Sequence, residues 1–592
     1  MSSRRLRLLL TAVLALALAP AAAAQSPALS GPATATGHGG AAATVERLAT
    51  QAAIDTLRRG GNAVDGAVTA AAVLGVTEPF SCGIGGGGFM LSYDARSRRA
   101  VTIDHRETAP AAMATDAFIE GGVPLPFNAA RYSGRSVGVP GTVDGWDTAL
   151  KRHGTISLAE ALAPAIRIAR DGFVVDATFA DQINQNRDFF DDAPATAALY
   201  LDPDGTPLDV GTTFRNPDLA RTLKRIAQLG PRGFYKGDVA GAMLATVQHP
   251  PVGAAANHVW RAGSMEQRDL THYKAIERAA THVAYRGLDV LGMGPPSSGG
   301  STVGEALNIL EGYPLGSLAR EDAMHRRLEA SRFAFADRGA YLADPAFFDV
   351  PLRGLMSDEF AATRRALIGD RAATSPVAPG DPYPFDGPGH AGGHGQASVT
   401  SERAGSTTHI SVSDRSGDVV SYTFTIESTG GSGLVVPGYG FLLNNELTDF
   451  NYDSLTHPNR VEPGKRPRSS ISPTIVLRDG KPWLTVGTPG GSTIITTVLD
   501  LLTNRIDLGM TLPEAIAAPR ASQRNTATTQ PEQAFLALPE AAALQARGHV
   551  FGAPAEIGAA TGIEFLPGGG VLAAAEPVRR GGGSAMVVSP AP

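Results

Sequence analysis

The chain has 592 residues, of which 43% are hydrophobic and 18% charged, as in ordinary globular proteins. This length allows one large core or about two to four domains. A net charge of −6 without internal basic runs argues against nucleic-acid binding, and the single cysteine, Cys82, excludes an intrachain disulfide.

The first 24 residues have the three-part pattern of a secretory signal peptide. A basic start at 1–7 precedes an apolar run at 8–18 and the small residues 20–24. A membrane anchor is the alternative, but a spanning helix needs about 20 apolar residues. We therefore expect cleavage after Ala24, a secreted or periplasmic location, and no membrane span in the mature chain.

Helices and strands alternate along the rest of the chain. Apolar periodicity predicts a helix over 44–59, and capping boxes at Ser157–Glu160 and Thr511–Glu514 predict two more. Strand-like segments are 88–93, 101–104, 407–413, 419–426, 474–477 and 483–486. Helices mixed with mainly antiparallel strand signals indicate a layered α+β architecture.

A glycine run at Gly83–Gly88 has the spacing of a dinucleotide-binding loop, but the context is reversed. Such a loop must follow a strand and open a helix, so that the helix N-terminus meets the pyrophosphate. Here the helical segment 63–74 comes first and the strand 88–93 follows. Close packing of backbone is the better interpretation. We predict no nucleotide or other cofactor.

The segment 371–406 is rich in proline, glycine and histidine and has no apolar rhythm. Such a composition favours a loose segment, which is unusual inside a compact chain. His390 and His394 have the i, i+4 spacing of a helical metal pair, but the glycines around them disfavour a helix. We therefore predict a solvated loop and no metal site.

An abrupt strand follows this loose segment and begins at a pair of threonines. Its hairpin turn lies at 415–418, and if the turn centres on Ser416, Thr407 lies opposite Thr425. Directly opposed residues place their side chains on one face, about 5 Å apart. Two hydroxyls would then meet where the strand begins. A plain structural threonine pair is the alternative at this point.

Three further segments place polar groups next to apolar ones. Two carboxylates, Glu446 and Asp449, lie among the apolar residues of 442–450. Ser469 and Ser470 follow a basic turn, and Gly490 and Gly491 precede the helical segment 494–502. Successive glycines before a helix leave N–H groups free to meet an anion. Each signal is weak by itself.

Together with the blocks at 85–90, 104–110, 138–142 and 295–300, these segments resemble the γ-glutamyltransferase family, also called glutathione hydrolases. The resemblance runs from about residue 37 to 588. It implies the N-terminal-nucleophile hydrolase fold, a four-layer αββα sandwich whose single chain cuts itself in two. The cut is implied between Ser406 and Thr407. It would give a large subunit, 25–406, with a flexible tail at about 371–406, and a small subunit, 407–592, as a heterodimer.

The resemblance assigns Thr407 as the nucleophile and Thr425 as the group that orients its hydroxyl, in agreement with the hairpin. A threonine hydroxyl needs an adjacent base. The new α-amine can serve, since its usual pKa of about 7.7–8.0 leaves much of it neutral near that pH. Gly490 and Gly491 match the oxyanion hole.

The resemblance also implies a pocket for the γ-glutamyl group. The matching residues are Arg106, Ser469 and Ser470 for the α-carboxylate, and Glu446, Asp449 and Glu427 for the α-ammonium. Many relatives have an amide at position 427 or 446, so carboxylates at both are a departure.

The implied activity is the transfer of γ-glutamyl groups from glutathione and other γ-glutamyl compounds to water or to amino acid and peptide acceptors. Only 19 residues separate Asp449 from Ser469, fewer than in relatives with a lid loop, which predicts an open pocket. The alternatives are a glutaryl β-lactam acylase, a relative that processes poly-γ-glutamate, and an inactive binding protein. The sequence alone does not choose among them.

Overall fold

The computed structural model describes residues 31–388 and 406–591. The predicted signal peptide and the His390–His394 pair lie outside these ranges. Within them, no helix combines the length and the apolarity needed to cross a membrane.

The described residues form nineteen strands. They are β1 (Thr34–Thr44), β2 (Gly87–Asp94), β3 (Arg99–Asp104), β4 (Ile119–Glu120), β5 (Val123–Pro124), β6 (Phe173–Val174), β7 (Thr213–Phe214), β8 (Ile276–Arg278), β9 (Thr281–Tyr285), β10 (Leu288–Gly292), β11 (Thr408–Asp414), β12 (Val419–Thr425), β13 (Thr474–Arg478), β14 (Lys481–Gly487), β15 (Ala521–Ser522), β16 (Gln530–Pro531), β17 (Thr561–Phe565), β18 (Val571–Ala575) and β19 (Ser584–Pro590).

The same ranges contain twenty α-helices. They are α1 (Arg47–Arg58), α2 (Ala63–Thr77), α3 (Phe127–Arg131), α4 (Thr142–His153), α5 (Leu158–Asp171), α6 (Ala177–Asn184), α7 (Arg187–Phe190), α8 (Pro194–Tyr200), α9 (Pro217–Leu229), α10 (Arg232–Tyr235), α11 (Gly237–Gln248), α12 (Gln267–His272), α13 (Gly299–Glu311), α14 (Arg320–Tyr341), α15 (Leu352–Leu355), α16 (Asp358–Arg365), α17 (Thr493–Ile506), α18 (Leu512–Ala517), α19 (Gln533–Leu536) and α20 (Pro539–Ala546).

One antiparallel sheet of thirteen strands organises the molecule. Its order is β8-β3-β2-β12-β11-β1-β18-β17-β14-β13-β10-β9, and β19 also pairs with β1. The two end strands, β8 and β9, are separated in the chain by residues 279 and 280 alone, so the sheet curls until its edges approach each other. Strands β11 and β12 consequently contact β14 and β17.

Two hydrophobic cores lie against this curled sheet. The first packs α1, α2, α4 and α5 on β1, β11 and β12, and the second packs α13, α14 and α17 on β9, β13 and β14. The mixed α/β character predicted from the sequence is therefore confirmed.

The predicted hairpin is confirmed, including its register. Strands β11 and β12 pair antiparallel, with Thr408 opposite Phe424 and Ser413 opposite Val419. Extending this ladder by one residue sets Thr407 against Thr425, as the turn position predicts. The hairpin lies inside the sheet, because β12 pairs with β2 and β11 pairs with β1.

The glycine run between α2 and β2 brings backbone against backbone beside this hairpin. A Cβ on Gly86 would lie 1.9 Å from the Thr425 carbonyl oxygen, and one on Gly85 would lie 2.0 Å from that of Leu442. Both positions therefore require glycine, because a side chain would displace the residues around Thr425. The packing interpretation of the run is confirmed.

Residues 371–388 differ from the loose tail expected for the whole segment 371–406. The Ala373 N–H donates to Glu329 at 2.9 Å, Val377 N–H to Asn525 at 2.7 Å, and Gly380 N–H to Asp337 at 2.5 Å. The segment contributes little core of its own, but polar groups of the surrounding body hold its backbone. The remainder, 389–405, lies outside the described residues.

Candidate active site

Two threonine hydroxyls meet at the end of the hairpin. Thr407 Oγ1 lies 3.2 Å from Thr425 Oγ1, within hydrogen-bond distance, and both side chains are buried. The carbonyl oxygen of Ser406 accepts from both hydroxyls, at 2.6 Å from Thr407 and 2.7 Å from Thr425. The hydroxyl of Thr407 and the peptide bond before it are thus held in one hydrogen-bonded group.

The residue at position 427, just after β12, completes this arrangement. Glu427 donates its N–H to Thr425 Oγ1 at 2.8 Å, and its carbonyl accepts from the Ser406 N–H at 2.8 Å. Its φ of +76° is in the left-handed region, which disfavours a residue with a long side chain. The Glu427 carboxylate accepts from Ser428 and Asn445, and these contacts hold it in place despite that backbone.

The predicted oxyanion loop lies between β14 and α17. Gly490 and Gly491 have φ values of +135° and +58°, a combination that favours glycine. Their carbonyls accept from the first turn of α17, at Thr493 and Ile494. Neither glycine N–H donates a hydrogen bond within the described residues, so both are available to an oxyanion.

Arg106 is paired with two carboxylates in this structure. Its guanidinium donates to Glu446 and, at 2.5 Å, to Asp449. Arg106 and Glu446 are each 1% exposed, whereas the Asp449 side chain is 34% exposed. Burial opposes the charge on Arg106, but the two carboxylates outweigh it and raise the pKa of the guanidinium. The resemblance assigns Arg106 and these acids to opposite ends of the substrate, and the structure brings them into direct contact.

Burial changes the protonation of the acids in this group. Desolvation raises the pKa of Glu446 well above its usual value although Arg106 opposes the shift, and it raises that of Glu107 to about 8. Both carboxyl oxygens of Glu107 and Oε2 of Glu446 are buried and have no hydrogen-bond partner among the described residues. These adjacent carboxyl groups can satisfy one another only when they share a proton. The region is therefore less negative at neutral pH than its count of carboxyls suggests.

Glu427 titrates close to neutral pH. Burial, followed by repulsion from Asp449, raises the pKa of its carboxyl to about 7. A raised pKa means that the negative form, which attracts an ammonium group, prevails only above that pH.

We expect the KM of a substrate with an α-ammonium to fall as the pH rises from 6 to 8. Steady-state kinetics on wild type and Glu427→Gln checks this, since the variant should lose the dependence; equal profiles would contradict it.

Ser469 and Ser470 are held by contacts with the 295–300 block and with α14. Ser298 N–H and Oγ donate to the Ser469 carbonyl at 2.8 and 2.6 Å. Arg338, on α14, donates to Ser470 Oγ at 2.7 Å and to Ser298 Oγ at 2.7 Å. Sequence reasoning missed Arg338, because nothing in its local helix distinguishes it from other buried arginines.

One cavity of about 270 Å³ joins these parts. The predicted residues that line it are Arg106, Thr407, Thr425, Glu427, Glu446, Asp449, Ser469, Ser470 and Gly491. Gly490, next to Gly491 in the chain, is not among the residues that line the cavity. Phe127 and Tyr452 contribute to the apolar part of the wall. A buried hydroxyl, free N–H donors, and a cationic group next to anionic ones together suit nucleophilic attack on a zwitterionic acyl compound.

The chain is similar to known proteins over most of its length. A family model described as gamma-glutamyltranspeptidase matches residues 49–586. The glutathione hydrolase proenzyme of Bacillus subtilis (strain 168) is 39% identical over 532 residues, which cover 88% of this chain and 87% of the relative. The acylase ACY 1 proenzyme of Pseudomonas sp. (strain V22) is 37% identical over 555 residues, 91% of this chain and 92% of that relative.

A solved structure has the same architecture. The cephalosporin acylase from Bacillus halodurans superposes with a TM-score of 0.82 and 29% sequence identity. The match covers 95% of this chain and 98% of the acylase.

Proposed function

Because the chain belongs to the gamma-glutamyltranspeptidase family, we propose that it hydrolyses γ-glutamyl compounds such as glutathione and transfers their γ-glutamyl group to amino acid or peptide acceptors. The observation that carries the proposal is the Thr407 hydroxyl, which faces Thr425 in the cavity that contains Arg106 and Asp449. The name proenzyme, borne by the Bacillus subtilis relative, supports activation by cleavage here too.

Activation begins with cleavage between Ser406 and Thr407. Thr407 Oγ attacks the Ser406 carbonyl carbon, the peptide C–N bond breaks, and the hydroxyl proton passes to the departing nitrogen. Negative charge develops on the Ser406 oxygen, to which the Thr425 hydroxyl donates at 2.7 Å. Water then hydrolyses the resulting ester, which leaves a carboxylate on Ser406 and restores the Thr407 hydroxyl next to a free α-amine.

Transfer uses the same hydroxyl a second time. The α-amine of Thr407 accepts the hydroxyl proton as Oγ attacks the γ-carbonyl carbon of the substrate, and the oxyanion is stabilised by the N–H groups of Gly490 and Gly491. The amine returns the proton to the leaving nitrogen, and a γ-glutamyl ester of Thr407 remains. Water or an acceptor amine attacks this ester and releases the product.

Substrate recognition replaces the internal ion pairs of Arg106 with ion pairs to the substrate. The α-carboxylate of a γ-glutamyl group would bind the guanidinium of Arg106 and accept hydrogen bonds from Ser469 and Ser470. The α-ammonium would bind the carboxylates of Glu446, Asp449 and Glu427. Arginine suits a carboxylate because its planar fork donates two parallel hydrogen bonds. The zwitterion thereby replaces the internal pairing without leaving a buried charge alone.

The proposal also assigns the signal peptide, the two subunits and the layers of the fold. Residues 1–24 direct the chain to the periplasm or the medium, residues 25–406 form the large subunit and 407–592 the small one. The layers would be helix, sheet, sheet and helix, as the contact of β11 and β12 with β14 and β17 supports. Only 19 residues join Asp449 to Ser469, which supports access by bulky acceptors.

The test is one assay on purified protein. We expect a γ-glutamyl anilide to be cleaved, and a dipeptide acceptor to yield a γ-glutamyl peptide. A denaturing gel of the same sample should show two fragments. An uncut chain without turnover would indicate a binding protein instead.

An acylase acting on glutaryl amides is the second candidate, favoured by the likeness to the cephalosporin acylase. A glutaryl group lacks the α-ammonium, so its binding to Arg106 would leave the buried Glu446 and the partly exposed Asp449 without a cation. We expect a preference for γ-glutamyl over matching glutaryl amides of at least tenfold in kcat/KM, about 1.4 kcal/mol.

The matched variant for this preference is Asp449→Asn, which keeps the side-chain shape and removes the charge. It should reduce the preference, whereas Asp453→Asn, an exposed acid at the mouth of the cavity, should not. A wild-type enzyme that cleaves both amides equally well would establish the acylase assignment.

A further inference from the structure

Arg580 contacts the site of the proposed cut from the other end of the chain. Its guanidinium donates to the carbonyl oxygen of Thr407 at 2.7 Å and to Ser81 Oγ at 2.5 Å. Ser81 Oγ also accepts from Ser406 Oγ at 2.8 Å. The guanidinium therefore contacts one residue of the scissile bond directly and the other through Ser81.

The backbone of Arg580 is shaped for this contact. Its φ of +54° is in the left-handed region, and its N–H donates to Glu556 at 3.1 Å. The side chain is 15% exposed, and its counter-ion Glu78, at 3.2 Å, is 12% exposed. A left-handed backbone and a nearly buried guanidinium both cost free energy. A turn alone does not require either of them, so the contact with the Thr407 carbonyl calls for a functional explanation.

The charged and titratable groups around Thr407 come from several elements. Glu78 follows α2, and burial raises the pKa of its carboxyl to about 7 despite Arg580. Glu427 follows β12, with a pKa of about 7, and burial also raises that of Glu556. His409, two residues along β11, is neutral because burial lowers its pKa to about 3. Arg106 and Asp449 line the same cavity as Thr407, and Cys82 lies next to Ser81 as a neutral thiol.

We propose that Arg580 is a positioning residue for the nucleophile: it holds the carbonyl of Thr407 and, after the cut, its positive charge favours the neutral form of the Thr407 α-amine. The inference rests on the proposed function, in which that amine forms and acts as the base.

The physical reason is the closeness of the two groups. Nitrogen and carbonyl oxygen of one residue are separated by three bonds, so the new amine will lie within about 6 Å of the guanidinium. A like charge at this distance disfavours the ammonium form and lowers the pKa of the amine. Glu78 opposes this effect above the pH at which it ionises. The amine must be neutral to accept the hydroxyl proton, so Arg580 extends activity towards lower pH.

The experiment measures kcat against pH for the self-cleaved enzyme with a γ-glutamyl anilide. Arg580→Gln removes the charge, so the acid limb of the profile should move up by about one pH unit. Arg580→Lys keeps the charge and should leave the limb in place even if its kcat is lower. Arg415→Gln, an exposed arginine in the turn between β11 and β12, is the control for net charge and should match wild type.

Glu78→Gln gives an independent reading if Arg580→Gln fails to cut itself. It leaves the guanidinium without its counter-charge, so the acid limb should move down. An acid limb unmoved in Arg580→Gln, or unmoved or raised in Glu78→Gln, would overturn the proposal. N-terminal sequencing of the small fragment distinguishes failure of the proposed function from failure of the role given to Arg580. An uncut wild type refutes the proposed function. A cut and active wild type, with variants whose acid limbs do not move, refutes the role of Arg580 alone.

Discussion

Thr407→Ala is expected to leave a single uncut chain and to lower γ-glutamyl transfer by at least about a thousandfold, the scale on which loss of a nucleophile acts. The wild type should resolve into fragments of roughly 40 and 20 kDa, judged from the lengths on either side of the cut. The smaller fragment should begin Thr-Thr-His-Ile. The variant should lose both processes because, in the proposed mechanism, one hydroxyl attacks first the Ser406 carbonyl, which it contacts at 2.6 Å, and then the substrate.

Thr408→Ala is the matched control for this variant. The Thr408 hydroxyl is buried at the start of β11 and has no hydrogen-bond partner among the described residues, so its removal should cost little stability. We expect Thr408→Ala to cut itself and to turn over. An intact yet fully active wild-type chain, seen on a denaturing gel beside the assay, would contradict the mechanism.

Thr425→Ala is expected to slow two steps at once. Its hydroxyl lies 3.2 Å from that of Thr407 and donates to the Ser406 carbonyl at 2.7 Å. In the proposed mechanism it orients the nucleophile and stabilises the charge that develops during the cut. Loss of one positioned group costs on the order of ten- to a thousandfold in rate. We expect this loss in the rate of self-cleavage and in kcat, with KM nearly unchanged.

Thr425→Ser provides the comparison, because it keeps the hydroxyl and removes only a methyl group. Self-cleavage can be followed by the loss of the full-length band, and kcat measured on the fraction that has been cut. An unchanged kcat in correctly cut Thr425→Ala would remove Thr425 from the catalytic group. A raised KM with an unchanged kcat would make it a substrate-binding residue instead.

The sequence predicted the local structure where short-range rules determine it. The capping boxes at Ser157 and Thr511 both form, and the position of the turn sets the register of the hairpin. These features depend on residues a few positions apart. The opposition of Thr407 and Thr425 was therefore predictable by counting residues outward from the turn.

Strand β1 was missed because its residues lack strand character. It consists largely of glycine, alanine and threonine, yet it lies between β11 and β18, in the middle of the sheet. A Cβ on Gly40 would lie 2.7 Å from the Ser413 carbonyl oxygen, so close packing selects small residues there. Tertiary context outweighs the intrinsic preference.

Long-range contacts determine the part of the site that local patterns do not predict. Arg338 and Arg580 lie far along the chain from Thr407, and no local pattern sets them apart from other arginines. The pairing of Arg106 with Glu446 and Asp449 depends on burial, which only the folded chain defines. Resemblance to the family identified these three residues but not their contact with one another.

If the chain is cut before Thr407 as proposed, the order of the sheet determines how the two products stay together. Strands from before residue 406 and strands from after it alternate: β12 is bonded to β2, β1 is bonded to β11, β18 and β19, and β13 is bonded to β10. The two fragments would therefore be joined by backbone hydrogen bonds at several places in one sheet and would not meet as two separately folded bodies. Dilution or high salt should therefore not release one from the other, because separation requires the whole sheet to unravel. Pieces synthesised separately would each lack the neighbours that their strands need.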